Sequence, residues 1–197
     1  MSSVQNPTKA KILTATVAML EDRAARPVRV ADIAKRAGIS RQALYLHYPT
    51  RAELFIAAAR HVDTLADVDR HFAQSRAATG GREKLSAIIE AWASYLPNVV
   101  AVAAALRDLQ DTDEGAAAAY ADRMGAVRDG CAATVAALAA DGDLTPALSE
   151  MEATDALWTL VSVESFERLT NACGWTPDAV ARVWHHMATR ALIGGVC

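Results

Sequence analysis

Strand-forming sequence is the first thing this chain lacks. No segment alternates apolar and polar residues and β-branched runs are few, so a sheet has little to be built from. No stretch of about 18 uncharged apolar residues occurs, the length that crosses a bilayer, and no transmembrane helix is expected. The opening MSSVQNPTKAK has no signal-peptide core and leads straight into an amphipathic pattern. Cysteine is scarce: Cys131, Cys173 and Cys197 are odd in number and share no CxxC or Cys/His spacing. They read as buried or idle thiols in a reducing cytoplasm. HExxH, GxSxG, P-loop and GxGxxG are all missing. His185 and His186 are adjacent, so on a helix they diverge by about 100° and cannot easily share a metal. His61 and His71 are expected alone on the surface, and Asp113-Glu114 falls in a turn. These absences argue against an enzyme, and no cofactor or metal is implied.

What the chain has instead is alanine. Hydrophobic residues make up 52% of it, on a background of good helix formers, which predicts an all-α protein with a substantial core. A first helix is expected over about Thr8 to Ala24, packing through Ile12, Leu13, Val17 and Leu20, before Arg26-Pro27 breaks it. Thr16 shares that face, its hydroxyl free to bond a carbonyl one turn back. A long helix is expected from Arg51 to Gln74, with Leu54, Ala58, Val62, Leu65 and Phe72 along one side. After the Thr79-Gly80-Gly81 turn, helices are expected at about 82–96, 98–110, 114–140, 147–173 and 177–193. Thr176-Pro177 reads as an N-cap with proline in the first helical position, and Gly194-Gly195 as a stop.

Charge divides the chain more sharply than its net of −3 suggests. Residues 1–51 hold nine Lys/Arg against three acids, whereas the other 146 residues hold eleven bases and twenty acids. A basic head on an acidic body suits a protein that meets a polyanion at one end.

Inside that head lies VADIAKRAGISRQALYLHY, from Val30 to Tyr48. Val30, Ile33, Ala34 and Ala37 recur at helical spacing, and Gly38 stands where a left-handed residue closes a helix. Ser40 can cap the next helix, on which Leu44 and Tyr48 point inward. Gln42, Ala43, Leu46 and His47 cluster on the opposite side, Arg41 and Tyr45 flank the seam, and Pro49 ends the helix. Two short helices and a tight turn are the geometry that lays one helix in a DNA major groove.

The stretch resembles the DNA-binding head of TetR-family transcriptional regulators: AxIAxRAGIS, then LYLHY and a proline, then Arg51 and AELF. The likeness is strong over Thr8 to Phe55 and architectural beyond. Two positions depart from the family pattern. Arg29 stands where a Thr or Ser usually caps the first motif helix, and Arg51 where a Lys usually opens the fourth. Both keep or add positive charge near the expected phosphate path.

The resemblance implies about nine helices: a three-helix helix-turn-helix DNA-binding domain at 1–50, then a helical ligand-binding and dimerisation domain at 51–197. It implies base contacts by Arg41, Gln42 and Ala43, to guanine, adenine and a thymine methyl respectively. Tyr45 and His47 correspond to phosphate or backbone anchors and Arg51 to a phosphate clamp, with Ser40 and Arg29 in the same DNA-binding set. It also implies a homodimer on a palindromic double-stranded operator, paired through the last two helices, whose apolar faces carry Leu157, Leu160 and Val161, then Val180, Val183 and Met187. A small-molecule effector pocket is implied in the middle helices, and the lining suggested is Trp92, Tyr95, Met124 and Trp158 with Ser162 as polar handle. The same side chains serve equally well as plain core. The resulting expectation is a cytoplasmic, dimeric repressor relieved by a small apolar or amphipathic ligand. Its rivals are a helical protein-interaction module and a sequence-indifferent DNA packager.

Overall fold

The structure is a computed structural model that describes residues 7–22 and 28–195. Ala24, the Arg26-Pro27 break and Cys197 lie outside those residues. Helix dominates the described residues, and the only β pairing among them is an isolated antiparallel bridge between Leu144 and Ile193. The chain divides into two compact units, Met1–Ala66 with Ala101–Ala121, and Asp67–Val100 with Asp122–Cys197.

The first unit begins with α1 (Pro7–Glu21), α2 (Val30–Arg36), α3 (Arg41–His47) and α4 (Arg51–Leu65). Ile12 is fully buried on α1, while Leu13, Val17 and Leu20 are half-buried. Thr16 is also buried, and its hydroxyl donates to the Ile12 carbonyl at 2.8 Å, so its polar atom costs the core little. Helix α1 packs against both α2 and α4. Because α4 buries Ala52, Leu54, Phe55, Ala58, Ala59 and Val62, this unit continues well past residue 50.

The expected helix over 51–74 is broken. Asp67 adopts a left-handed conformation (φ 50°) and caps α5 (Val68–His71), accepting from the Arg70 amide at 3.3 Å. Helix α6 (Ala73–Ala77) follows. Aspartate tolerates this backbone better than most residues, and nothing in the surrounding pattern announces it. Leu65, expected in the core, is consequently 69% exposed at the helix end, and Phe72 falls between α5 and α6.

Helix α7 (Gly81–Arg107) runs on through Pro97, where a break was expected. Proline removes one ladder bond, but Tyr95, Leu96, Val99 and Val100 are buried on either side of it and hold the helix in place. The Asn98 side chain adds bonds to the carbonyls of Ser94 (3.4 Å) and Tyr95 (3.3 Å). The uninterrupted helix contains an 18-residue window with mean hydropathy 1.4, long and apolar enough to cross a membrane. Burial of 56% of that window inside the protein is the pattern of a core helix. Helix α8 (Glu114–Ala140) matches its expected bounds, its start capped by Asp113, which accepts from the Ala116 amide at 3.0 Å.

In the second unit, Gly81 sits directly against α8. A Cβ there would lie 2.5 Å from the Leu138 nitrogen. The Gly81 amide donates to Asp141 at 2.7 Å, and Arg82 pairs with Asp143 at 2.7 Å. The expected 147–173 helix is three pieces: α9 (Glu150–Leu160), α10 (Val163–Glu167) and a π-helical turn (Arg168–Ala172). Ser149 and Glu152 form a capping box that starts α9, and Ser162 accepts from the Ser165 amide to start α10. Helix α11 (Pro177–Leu192) opens on the expected Thr176 cap and packs on α9, with Trp184 fully buried against Phe166.

Candidate nucleic-acid interface

The site is built on α2 and α3. Ile33 and Ala34 bury the inner face of α2, with Val30 and Ala37 half-buried beside them. Arg29 precedes α2 without a side-chain cap, as its identity predicts. The turn closes at Gly38 (φ 72°), and the Ile39 amide reaches back to the Ala34 carbonyl at 3.0 Å. Ser40 then accepts from the Ala43 amide at 3.1 Å, starting α3.

Helix α3 is held from one side only. Leu44 is 1% exposed and Tyr48 is buried, and burial pushes the Tyr48 phenol above its ordinary pKa. The Lys9 ammonium lies 5.9 Å from the Tyr48 ring centroid. On the other side Arg41, Gln42 and Leu46 are exposed, while Ala43, Tyr45 and His47 are half-buried. Past Pro49, Thr50 caps α4 by accepting from the Glu53 amide at 3.0 Å. Arg51 is exposed in the first turn of α4, its guanidinium 5.0 Å from the Phe55 ring.

Between residues 7 and 51 the described residues carry seven exposed cations: Lys9, Lys11, Arg29, Lys35, Arg36, Arg41 and Arg51. Three exposed acids, Glu21, Asp22 and Asp32, accompany them. Among the described residues none of the seven cations is held in an ion pair. Their charge is therefore available to an outside anion. The structure thus places Arg29, Ser40, Arg41, Gln42, Ala43, Tyr45, His47 and Arg51 on α3 or at helix starts flanking it. The feature that sequence reading undervalued is Leu46, 83% exposed amid this polar face. Helical spacing had put it outward, but its type gave no reason to single it out.

The suggested effector residues fall in the second unit. Trp92 and Tyr95 of α7 do come together, 5.9 Å apart edge-on, and Phe72 joins them at 4.7 and 5.7 Å. His71 completes the cluster, 5.5 Å from Tyr95 and 3.2 Å from the Ser94 hydroxyl, so it is not the solitary surface histidine expected. His61, on α4, is likewise partly enclosed, with a buried Nε2. Among the described residues Trp158 shares no ring contact with the cluster. It is half-buried on α9, Met124 is half-buried on α8, and Ser162 is engaged as the α10 cap. A half-open cleft of about 170 Å³ lies instead between α7 and α11, lined by Glu90, Ala93, Ser94, Pro177, Asp178 and Ala181.

Of the six residues expected on a dimer face, Leu157, Val161 and Val180 are 1% exposed or less and belong to the protomer's own core. Leu160 and Val183 are half-buried, and Met187 is 51% exposed. A continuous apolar stripe on a helix cannot by itself say which neighbour covers it. Among the described residues no cluster of His, Cys, Asp and Glu could hold a metal ion.

Comparison with known proteins agrees with this geometry. Residues 12–58 match the family model for bacterial regulatory proteins of the tetR family. The transcriptional activator FasR of Mycolicibacterium smegmatis is 33% identical over 89 residues, 45% of this chain and 40% of that protein. The nucleoid occlusion factor SlmA of a Marinomonas species is 38% identical over 55 residues, 28% of each chain. The match thus spans well under half the length of either relative. In fold the likeness is nearly complete. A protein from Saccharomonospora viridis, described as a transcriptional regulator and solved with choline, superposes at TM-score 0.79 with 20% identity, over 96% of this chain and 99% of that one. The regulator FadR from Bacillus subtilis, solved with stearoyl-CoA, superposes at 0.71 with 13% identity, over 92% and 98%. Over residues 12–58, the head that carries α2 and α3, the chain is similar to the tetR family of bacterial regulatory proteins.

Proposed function

We propose that the protein is a transcriptional regulator that lays α3 in the major groove of double-stranded DNA and binds a palindromic operator as a homodimer. The observation that carries this reading is the outward face of α3, where Arg41 and Gln42 are exposed within a surplus of exposed cations. Cations on Lys9, Arg29 and Arg51, with Tyr45 and His47, supply phosphate contacts, and most of the affinity comes from the counterions they release. Arg41, Gln42 and Ala43 supply base contacts. Ser40 fixes the start of α3, and its position at the tip puts it beside the DNA as well. One seven-residue helix covers too few base pairs for a useful specificity ratio, so two heads are needed, presented about one helical turn apart. Helices α9 to α11 form the pairing surface, with Met187 among the side chains that a second copy covers.

A small apolar or amphipathic effector acts by binding one head spacing better than another, shifting the dimer by that difference in affinity. Trp92, Tyr95, Met124, Trp158 and Ser162 are the proposed contacts. Choline and stearoyl-CoA, found in two structures of this fold, support a small-molecule ligand without assigning either compound to this protein. Release of DNA by the ligand would make the protein a repressor. A partial relative is an activator, so the direction of control is settled only by transcription from the operator. The protein works in the cytoplasm, where its DNA is, and has no catalytic role.

Selection of bound sequences from random DNA with the purified full chain tests this directly. A palindromic consensus is expected, with base preference altered by Arg41→Ala and Gln42→Ala. A helical protein-interaction module would yield no consensus, and its contacts would be indifferent to ionic strength.

A further inference from the structure

We infer that Leu46 is a specificity-determining residue that reads the C5-methyl group of a thymine in the major groove. The inference rests on the DNA-binding reading above and goes beyond the polar contacts that reading assigns.

Leu46 is 83% exposed, the largest exposure among the bulky apolar side chains of the described residues. It is not needed to hold α3 in place, because Leu44 and Tyr48 already anchor the inner face. A solitary exposed leucine is ordinary on a protein surface. This one is singled out by position: it stands four residues after Gln42 and three after Ala43, the spacings that put side chains together on one helix face. Arg41 and Arg51, one at each end, bring the face against a polyanion. When α3 enters a groove, Leu46 must be buried against whatever lies there.

Only one apolar group projects from base edges into the major groove, the thymine methyl. A phosphate or a base edge without that methyl would leave the leucine against polar atoms, with no gain from its removal from water. The proposal therefore adds discrimination of T·A from C·G, since cytosine carries no methyl. Helical rise sets the register. Three residues separate Ala43 from Leu46 by about 4.5 Å along the axis, against about 3.4 Å per base step. The thymine read by Leu46 is thus one or two steps from the base pair that meets Ala43, in each half-site.

The test uses the full-length protein and the operator recovered by random selection. Each thymine is replaced in turn by deoxyuridine, which deletes the methyl and leaves the pairing edge intact. For the wild type, one thymine per half-site besides the one that meets Ala43 should lose about three- to fivefold in affinity, the amount set by one methyl in an apolar contact. In Leu46→Ala that same replacement should have no further effect, while sensitivity at the Ala43 position persists. Leu46→Met, which keeps the apolar reach, should behave as wild type. Substitution at so exposed a position leaves folding intact, which circular dichroism verifies. If Leu46→Ala keeps the wild-type deoxyuridine profile, whether its affinity is unchanged or evenly reduced, the leucine lies off the bases and the inference is overturned. If wild type selects no sequence at all, the DNA-binding reading fails first and takes this one with it.

Discussion

The guanidinium of Arg41 lies over the ring of Tyr45, 5.4 Å from its centroid, with Nη2 3.5 Å from the phenolic oxygen. The two stand one turn apart on the exposed side of α3, so the ring holds the arginine on the face proposed to meet DNA. Tyr45→Phe keeps the ring and should lose less operator affinity than Tyr45→Ala, giving up only the hydroxyl contact to phosphate. Tyr45→Ala should cost about two- to fivefold by releasing the arginine. Equal losses in the two variants, read by fluorescence anisotropy, would show that the hydroxyl and not the ring matters.

The cap at Ser40 is the cheapest point at which to unmake α3. Ser40→Ala removes the acceptor for the Ala43 amide and should lower stability by about 1 kcal/mol, measured by urea unfolding. Ser40→Thr should recover most of it. Operator affinity should fall with the alanine variant, because a frayed first turn misplaces Arg41 and Gln42.

Arg51 should contribute charge without choosing bases. Arg51→Ala should weaken binding to all duplexes alike and reduce the slope of log affinity against log salt by about 1 per protomer. Arg51→Lys should restore the slope. A changed consensus in Arg51→Ala would instead move this residue into the base-reading set.

Thiol chemistry should separate the cysteines. Burial pushes the Cys131 thiol up to about 12, with the Arg128 charge opposing, so its thiolate is nearly absent at neutral pH. Cys173 is exposed. In a Cys197→Ser background, a maleimide at pH 7.5 should label one site per native chain and two after denaturation. Two equivalents from the native protein would contradict the packing around α8.

One acid-sensitive element is the capping box of α9. Glu152 is held below its ordinary pKa because it accepts from the backbone amide of Ser149 and then from its hydroxyl. A lowered carboxyl favours the folded state above the unfolded pKa, and that contribution is lost as pH falls through the folded value. The urea midpoint of wild type should therefore exceed that of Glu152→Gln at pH 7, and the gap should narrow as pH falls below the ordinary carboxylate value of 4.5. A constant difference across that range would mean the charge of Glu152 plays no part in the cap.

The sequence was most legible where local chemistry alone decides structure. Gly38, Ser40, Leu44, Tyr48 and Thr176 each took the role their residue type predicts, because a positive φ, a cap or an inward face needs no distant partner. It misled where packing overruled propensity. Pro97 should end a helix and does not, since buried neighbours on both sides keep α7 intact. Asp67 should continue a helix and breaks it. In the second unit, Trp92 and Tyr95 are legible as aromatic neighbours on one helix. Phe72 and His71 joined them only because the break at Asp67 redirects the chain.

At Gly81, α7 and α8 touch backbone to backbone, with a hydrogen atom where any other residue would carry carbon. Gly81→Ala should cost about 1–3 kcal/mol, because the nearest atoms belong to the Leu138 main chain and cannot swing aside. The junction is clamped further by Asp141 on the glycine amide and by Asp143 on Arg82. It acts as a weld: the two rods cannot slide there without a main-chain clash, nor part without breaking the Gly81–Asp141 and Arg82–Asp143 bonds. Give in this half of the molecule is left to its short pieces, α5, α6, α10 and the π-helical turn, each only four or five residues long.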